Sequence, residues 1–461
     1  MRIVIVGDGK VGSALTEMLS GEGHDIVVID SNKKVLVEEL EATDVMVVHG
    51  NGAALSVQRE AGVEDSDLLV AATSGDEINM LSCMLARKLG CGHTIARVRN
   101  PDYIEQLAFM KDELGLNMAV NPELSTAQEI FRLLQYPSFL QRDSFAKGRV
   151  EIVQIELKEG NRLIGKKLSE MYKIAKVKVL VCSVERGDKV HIPDGSFKLK
   201  EGDTIFVTAP AGDLVKLIRN LGLDNRKIRN VFIVGGGSNG YYLANLLLKS
   251  GIEVKIIEKD AKRCEWLAED LPHAQIINAD ASEKWVLDSE GMPKADAVVT
   301  LTNMDEENLI ISMYADYLKV PRVITKINRT EYDDVFRGKG SIQYAISPKE
   351  LCSREIATYV RAMQSAIGVN VETVHKIGMM EALEFHVTER TKHLGVALKD
   401  LRLRPGVLVS CIIRGNEVII PGGFDKIEQG DIIIIATSAD SGIEDINEIF
   451  DRDWNAKERT T

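Results

Sequence analysis

The chain has 461 residues, enough for roughly three to four domains, and 45% hydrophobic with 27% charged residues is the mixture of folded globular protein. A formal net charge of −12 leaves no global attraction for phosphate backbones or anionic lipid headgroups, which excludes nucleic acid as a first partner. The six cysteines form no C-x-x-C pair, the N-terminus MRIVIVGDGKVG is no signal sequence, and no apolar run approaches the roughly 20 residues of a membrane span, so a reduced, cytoplasmic protein with no direct membrane insertion is expected.

In chain order, residues 2–6 form an apolar run that stops at a glycine, 11–20 carry helical spacing, and 25–29 are apolar again and stop at Asp30. Short β-rich runs follow at 45–48, 68–72 and 94–98, separated by segments such as 77–89 with helical periodicity. Continuous rather than alternating apolar strands mean a sheet buried on both faces, which predicts a parallel, doubly wound α/β domain. A helical stretch at 125–134 follows Asn121-Pro122. The character then changes: 151–157, 177–184, 190–193 and 204–209 read as short strands, with turns at Arg186-Gly187 and Glu201-Gly202-Asp203, the pattern of a small α+β domain.

The whole pattern then runs a second time. Gly7, Gly9 and Gly12 of VGDGKVG match Gly235, Gly237 and Gly240 of VGGGSNG, each 228 positions on, and Asp30 matches Glu258 at the same offset. Asp76-Glu77-Ile78-Asn79 matches Asp305-Glu306-Glu307-Asn308 at 229, and Pro193, Gly195, Gly202 and Asp203 match Pro421, Gly423, Gly430 and Asp431 at 228. Spacing held along the whole chain identifies a tandem repeat. The expected organisation is α/β: a first Rossmann-type domain at 1–135 with a small α+β C-terminal domain at 140–224, then a second Rossmann-type domain at 226–365 with its small domain at 369–453.

A lone G-x-G-x-x-G is weak evidence, but here it follows a strand, opens a helix, and is answered by an acid at the end of the second strand, the context of a dinucleotide-binding loop. Gly7 permits the tight turn, Gly9 lets backbone approach a diphosphate, and Gly12 allows close helix–sheet packing; around them Asp8, Lys10 and Val11 present the N–H groups of a helix N-terminus. Asp30, 21 residues after Gly9, is spaced to accept hydrogen bonds from ribose hydroxyls and to repel a 2′-phosphate, which favours NAD(H), or ATP or ADP, over NADP. The second loop repeats this with Gly235, Gly237, Ser238, Asn239, Gly240 and Glu258. Asn51 and Asp280 follow the third strands, Thr73-Ser74 and Thr302-Asn303 the fourth. Arg97 and Lys326 end the fifth, where a cation meets phosphate or, for Arg97, a surface carboxylate; Arg99 shares that side if its strand continues. His24, His49 and His93 lack metal-ligand spacing, so no metal is expected. A dehydrogenase needs a substrate domain with an acid or base; no Ser-Tyr-Lys, His-Asp or Cys-His constellation is evident, and a spare cofactor domain has no use in hydride transfer. Binding without turnover accounts for the chain better than an NAD-dependent oxidoreductase does.

The order VGDGKVG, Asp30, AATSGDEIN, ARVRNPDY, Asn-Pro-Glu, then IPDGSFKLKEGDTIFV in the small domain, all of it doubled, resembles the TrkA family across essentially the full chain. These are cytoplasmic regulatory subunits of Trk-type potassium transporters, built of tandem RCK (KTN) domains that regulate potassium conductance. The chain departs from the family at Asn51, where Asp is usual, and carries Lys326-Ile327-Asn328 where its first half has Arg97-Val98-Arg99, so the two sites are expected to differ in phosphate preference. The resemblance implies a homotetramer ring, peripheral on the inner face of the cell membrane, beneath a membrane-embedded potassium transporter subunit. It also implies ATP and NADH as ligands whose exchange changes ring shape through hinging between Rossmann and small domains. A preference of roughly 1 to 3 kcal/mol for one ring conformation shifts the open population about 5- to 150-fold. Regulation of another cation channel or antiporter stays open at this point, as does an effector at the small domains.

Overall fold

The computed structural model describes residues 1–461 apart from 102, 104–105, 108–112, 136–140, 147, 188, 223–227, 330–343, 367–370, 378–379, 439–441, 444 and 452–461. The expected domain limits at 140, 224, 226, 369 and 453 lie outside the described residues.

The first half opens with β1 (Arg2–Val6), α1 (Lys10–Gly21), β2 (Asp25–Asp30), α2 (Lys33–Ala42), β3 (Met46–His49) and α3 (Leu55–Glu60). β4 (Leu68–Ala71), α4 (Asp76–Leu89), β5 (His93–Arg97), β6 (Met118–Val120) and α5 (Pro122–Gln135) complete its sheet. The strands are parallel in the order β3-β2-β1-β4-β5-β6, so the order reverses between β1 and β4 and opens a crevice at their carboxyl ends. Ile3 to Val6 and Leu68 to Ala71 are buried without alternation, the burial that a sheet covered on both faces requires.

Next come β7 (Gln141–Phe145), β8 (Val150–Glu156), α6 (Met171–Ala175), β9 (Leu180–Arg186), β10 (Lys189–His191), β11 (Thr204–Pro210) and α7 (Leu214–Leu221), an antiparallel sheet in the order β10-β9-β11-β8-β7. The edge strand β7, QRDSF, has no apolar run to announce it, and β9 begins at Leu180 rather than at 177.

The second half repeats the plan. β12 (Asn230–Val234), α8 (Ser238–Lys249), β13 (Glu253–Glu258), α9 (Ala261–Asp270), β14 (Gln275–Asn278), α10 (Lys284–Ser289), β15 (Ala297–Thr300), α11 (Asp305–Tyr317), β16 (Val323–Lys326), β17 (Tyr344–Ile346) and α12 (Pro348–Ala366) give the parallel order β14-β13-β12-β15-β16-β17. β18 (Val371–Ile377), β19 (Met380–His386), β20 (Val407–Arg414), β21 (Glu417–Ile419) and β22 (Ile432–Ser438) form the second antiparallel sheet, with β18 the counterpart of the unexpected β7. The fold is therefore two doubly wound parallel-sheet domains, each followed by a small antiparallel-sheet domain.

The chain sorts like with like into two compact units, residues 1–135 with 228–357 and residues 136–227 with 358–461. In the first unit α5 lays Ala127, Ile130 and Leu134 against Leu243 and Leu247 of α8, so the last helix of the first parallel-sheet domain fills the core of the second. Asn121 Nδ2 donates to Tyr242 Oη at 3.1 Å, and Tyr242 Oη donates to the Arg99 carbonyl at 3.0 Å. In the second unit both antiparallel sheets share one core, where Phe145, Ile152 and Phe206 meet Met380, Cys411 and Ile434. Each small sheet is tied by the same ion pair of a part-exposed arginine on a buried aspartate: Arg186 Nε donates to Asp203 Oδ1 at 2.7 Å, and Arg414 Nε to Asp431 Oδ1 at 2.9 Å. All six cysteines are free and buried. Among the described residues no helix is long and apolar enough to cross a membrane.

Candidate functional site

The first glycine loop sits in the crevice between β1 and β4. Gly7 has φ +93°, and a Cβ there would lie 2.8 Å from the Thr73 backbone, so both its dihedral and its neighbour demand glycine. A Cβ on Gly12 would stand 1.9 Å from the Gly7 carbonyl oxygen. The tight approach is thus between α1 and its own loop, which corrects the expected reason for Gly12, helix–sheet packing. Gly9 is the N-cap of α1 and has open space where a Cβ would go. A glycine N-cap offers no side-chain acceptor, so the first-turn N–H groups of α1 are left to meet an anion.

Asp30 closes the acidic side. Its Oδ2 accepts from the Asp8 N–H at 2.7 Å and its Oδ1 from the Asn32 N–H at 2.7 Å, which fixes the carboxylate at the lip of the loop with lone pairs to spare. A cavity of about 730 Å³ opens from here, with Gly7, Gly9, Lys10 and Val11 on the loop side and Asp30, Asn51, Thr73, Ser74 and Arg97 around the strand ends. Asp8 and Gly12 are buried and do not line this cavity. Arg97 Nη2 approaches Glu123 Oε1 at 3.5 Å, the carboxylate alternative, while the same side chain lines the cavity. β5 ends at Arg97, and Arg99 turns to Asp76 at 3.7 Å and to the Ser74 carbonyl instead of continuing the row.

The far wall of this cavity comes from the other half. Asn239, Asn303, Lys326 and Asn328 line it, so Asn239 and Lys326, expected at the second loop, face the first. Lys326 is buried, donates to the Leu301 carbonyl at 3.3 Å, and is held below its usual pKa by burial, with Asp305 opposing and Lys10 of the facing half reinforcing.

The second loop reproduces the local geometry. Gly235 has φ +102°, a Cβ on Gly240 would lie 2.2 Å from the Gly235 carbonyl oxygen, and Gly237, the N-cap before Ser238, has open space. Glu258 Oε2 accepts from the Gly236 N–H at 2.8 Å and Oε1 from the Asp260 N–H at 2.9 Å, matching Asp30. Asp280 Oδ1 accepts from the Ser282 N–H at 2.9 Å, as Asn51 Oδ1 does from Ala53 at 3.0 Å, so the departure at Asn51 keeps the same turn. Among the described residues no cluster of His, Cys, Asp or Glu is placed to hold a metal.

Two comparisons bear on what such a chain is. The TrkA-N domain model matches residues 3–122 and 231–348, and the TrkA-C domain model matches 152–222 and 382–451. Across its length the chain is 34% identical to the Trk system potassium uptake protein TrkA homolog of Archaeoglobus fulgidus, covering 98% of this chain and 100% of that one. It is 33% identical to Trk system potassium uptake protein TrkA of Vibrio alginolyticus, covering 98% of each. The chain belongs to the TrkA family. These relatives are named as potassium uptake proteins and none of them as an oxidoreductase, so the family speaks against the oxidoreductase alternative. In fold it is similar to the GsuK channel bound to NAD, with a TM-score of 0.63, 19% identity, and coverage of 95% of this chain and 77% of that one.

The TrkA-N domains also rely on residues whose role was not read from the sequence. Asn79 Oδ1 accepts from the Thr73 N–H at 2.9 Å and hydroxyl at 2.7 Å, and its Nδ2 donates to the Arg97 carbonyl at 2.9 Å. Asn308 does the same with Thr302 and Lys326. The Thr73 and Thr302 hydroxyls are therefore committed to fixing the strand ends. Asp76 and Asp305 each accept from two backbone N–H groups after the fifth strand. The available signal was the recurrence of Asp and Asn three apart in both halves.

Proposed function

We propose that the chain is the nucleotide-sensing regulatory subunit of a Trk-type potassium transporter, and that it binds NAD(H) or an adenine nucleotide such as ATP or ADP at its glycine loops. The carrying observation is the cavity of about 730 Å³ that joins an uncapped helix N-terminus and Asp30 of one half to Asn303 and Lys326 of the other. Diphosphate on the α1 N–H groups and ribose on Asp30 leave the far end of a ligand against the opposite half. Occupancy then alters how the two halves of the first unit fit, with no bond made or broken. The NAD-bound channel of the same fold supports the dinucleotide. Assembled as a homotetramer ring on the inner face of the membrane, the subunit passes this change to the transporter's membrane-embedded partner and gates it.

Calorimetry on the full-length protein with NADH, NAD, ATP and ADP tests the reading. Asp30→Ala and Glu258→Ala each remove a charged acceptor worth about 1.5 to 3 kcal/mol, so affinity at the altered loop falls roughly tenfold to a hundredfold. Unchanged affinity in both variants overturns the ribose contacts. Potassium uptake in cells lacking the gene, restored by the wild type and not by the double variant, links binding to transport.

A further inference from the structure

The first glycine loop stands on two buried acids, and the second stands on none. Asp8 is 4% and Glu39 5% exposed, and their carboxyl groups are hydrogen-bonded to each other. Glu39 Oε1 also accepts from the Thr43 hydroxyl at 2.7 Å, whereas Asp8 Oδ1 is buried with no hydrogen-bond partner. The positions 228 residues on are Gly236 and Leu267, and a Cβ on Gly236 would lie 2.5 Å from Leu267 Cδ1. One half thus fills this floor with an aliphatic side chain, which shows that the fold does not require acids there. The second floor carries a cation besides: Arg263 Nε donates to the Gly236 carbonyl at 2.8 Å and its guanidinium lies 4.1 Å over the Trp266 ring.

The charged groups facing Asp8 can be named from each element around it. α2 contributes Glu39, and the end of β2 contributes Asp30, whose Oδ2 receives the Asp8 N–H at 2.7 Å. α1 turns Gly12 toward it and keeps Lys10 exposed on the cavity side, while Lys33 and Lys34 at the start of α2 are exposed. Two neighbouring carboxyl groups out of water cannot both be ionised at ordinary cost, and it is Asp8 that holds its proton. Burial first, then Glu39 and Asp30, push Asp8 up to about 7.

We propose that Asp8, buried against Glu39, links the first glycine-loop site to the proton: an anionic dinucleotide binds while Asp8 keeps its proton, and affinity falls as pH rises. This rests on the nucleotide reading given above. Ionising Asp8 adds a negative charge in the loop that must receive the diphosphate, and the diphosphate in turn opposes that ionisation. Above the value at which Asp8 of the unliganded protein loses its proton, binding takes one up, and affinity drops about tenfold per pH unit. The second loop, floored by Leu267 and Arg263, has no such dependence.

The test is calorimetry of NADH binding to the full-length protein at about pH 6 and about pH 8.5, in buffers of different ionisation enthalpy. NADH is the probe because its diphosphate is a diester with no proton to lose in this range. In the wild type one class of site weakens on the order of tenfold or more at the higher pH and takes up a proton, while the other holds its affinity. The double variant Asp8→Gly with Glu39→Leu, which copies the second half, binds alike at both pH values. Asp8→Asn, which keeps a donor to Glu39 in place of the Asp8 proton, does the same and guards against misfolding of the double variant. Equal affinity in the wild type at both pH values, or a pH dependence that survives in Asp8→Asn, overturns the proposal. No NADH binding by the wild type at either pH overturns the nucleotide reading, and this inference with it.

Discussion

Single residues in this chain are best understood against their own repeat. Asp30 and Glu258 differ by one methylene, yet each carboxylate is held by two backbone N–H groups, one from the glycine loop and one from the turn after its strand. The extra length is absorbed without changing the job. Asp8 and Gly236 are the opposite case, since the same loop position is a buried acid in one half and has no side chain in the other. The acid has a consequence for stability whose sign is fixed by linkage. Asp8 is pushed up to about 7 in the fold, above its ordinary carboxylate value, so between the two values the native state holds a proton that the unfolded chain has released. Stability therefore falls as pH rises through that window, and the penalty is complete above about 7. Asp8→Asn removes the penalty while keeping a donor to Glu39. Its melting temperature is expected to exceed the wild type's at about pH 8, by the equivalent of about 3 to 5 kcal/mol, and the gain shrinks toward about pH 5. A gain that is the same at both pH values would show that the acid is not what costs the fold stability.

At the scale of elements, the β1 loop and α1 separate two meanings of glycine that one motif conceals. Gly12 is glycine because a Cβ there would stand 1.9 Å from the Gly7 carbonyl oxygen, whereas Gly9 faces open space. Gly12→Ala must displace helix or loop and is expected to lower stability by about 1 to 3 kcal/mol. Gly9→Ala sits at an N-cap with φ −78°, a dihedral any residue adopts, so it costs no more than about 1 kcal/mol, the loss of a good N-cap residue, while placing a methyl group where the ligand's diphosphate would lie. Thermal melts beside NADH titrations distinguish the two: the Gly9 variant folds and loses binding, the Gly12 variant loses both. This loop, its strand and its helix were legible in the sequence because they are local, and each is dictated by a dihedral or a close approach within a few residues. The partners of a side chain were not. Lys326 ends its own fifth strand, as its repeat position says, but it lines the cavity of the facing half, and nothing in the spacing around it encodes that. Glu39 lies in α2, where the apolar Val37 and Leu40 are exposed and the acid is buried, so the pattern of the helix does not reveal that Asp8 waits there. β7 escaped notice for a related reason, since QRDSF at a sheet edge carries no apolar run.

The whole molecule is organised by exchange between its halves. The period of α5 announces an apolar face, and the structure shows which core that face belongs to: Ala127, Ile130 and Leu134 are all but fully buried, against α8 of the second half rather than against their own sheet. The polar contacts follow the same path, with Asn121 reaching Tyr242 and Ser125 Oγ donating to Glu355 Oε2 at 3.0 Å. A tandem repeat in one chain thus behaves as a tethered dimer, and the cavity at the first loop cannot be independent of the second half when Asn303 and Lys326 of that half wall it. Residues 1–135, although a complete doubly wound sheet by topology, end in a helix whose buried face has lost its partner. Burying each such aliphatic side chain is worth about 1.5 to 3 kcal/mol, more than a lone domain can leave exposed without consequence. Because α1 of the same fragment is the repeat equivalent of α8, the fragment carries a surface homologous to the missing one. Expressed alone, residues 1–135 are expected to pair with a second copy through α5, with a mass by light scattering twice that of the chain, and Ile130→Asp is expected to return the fragment to a monomer. A wild-type fragment that stays monomeric and stable at high concentration would mean that α5 closes on its own domain when it has no partner, and the exchange would then be a product of the tether alone.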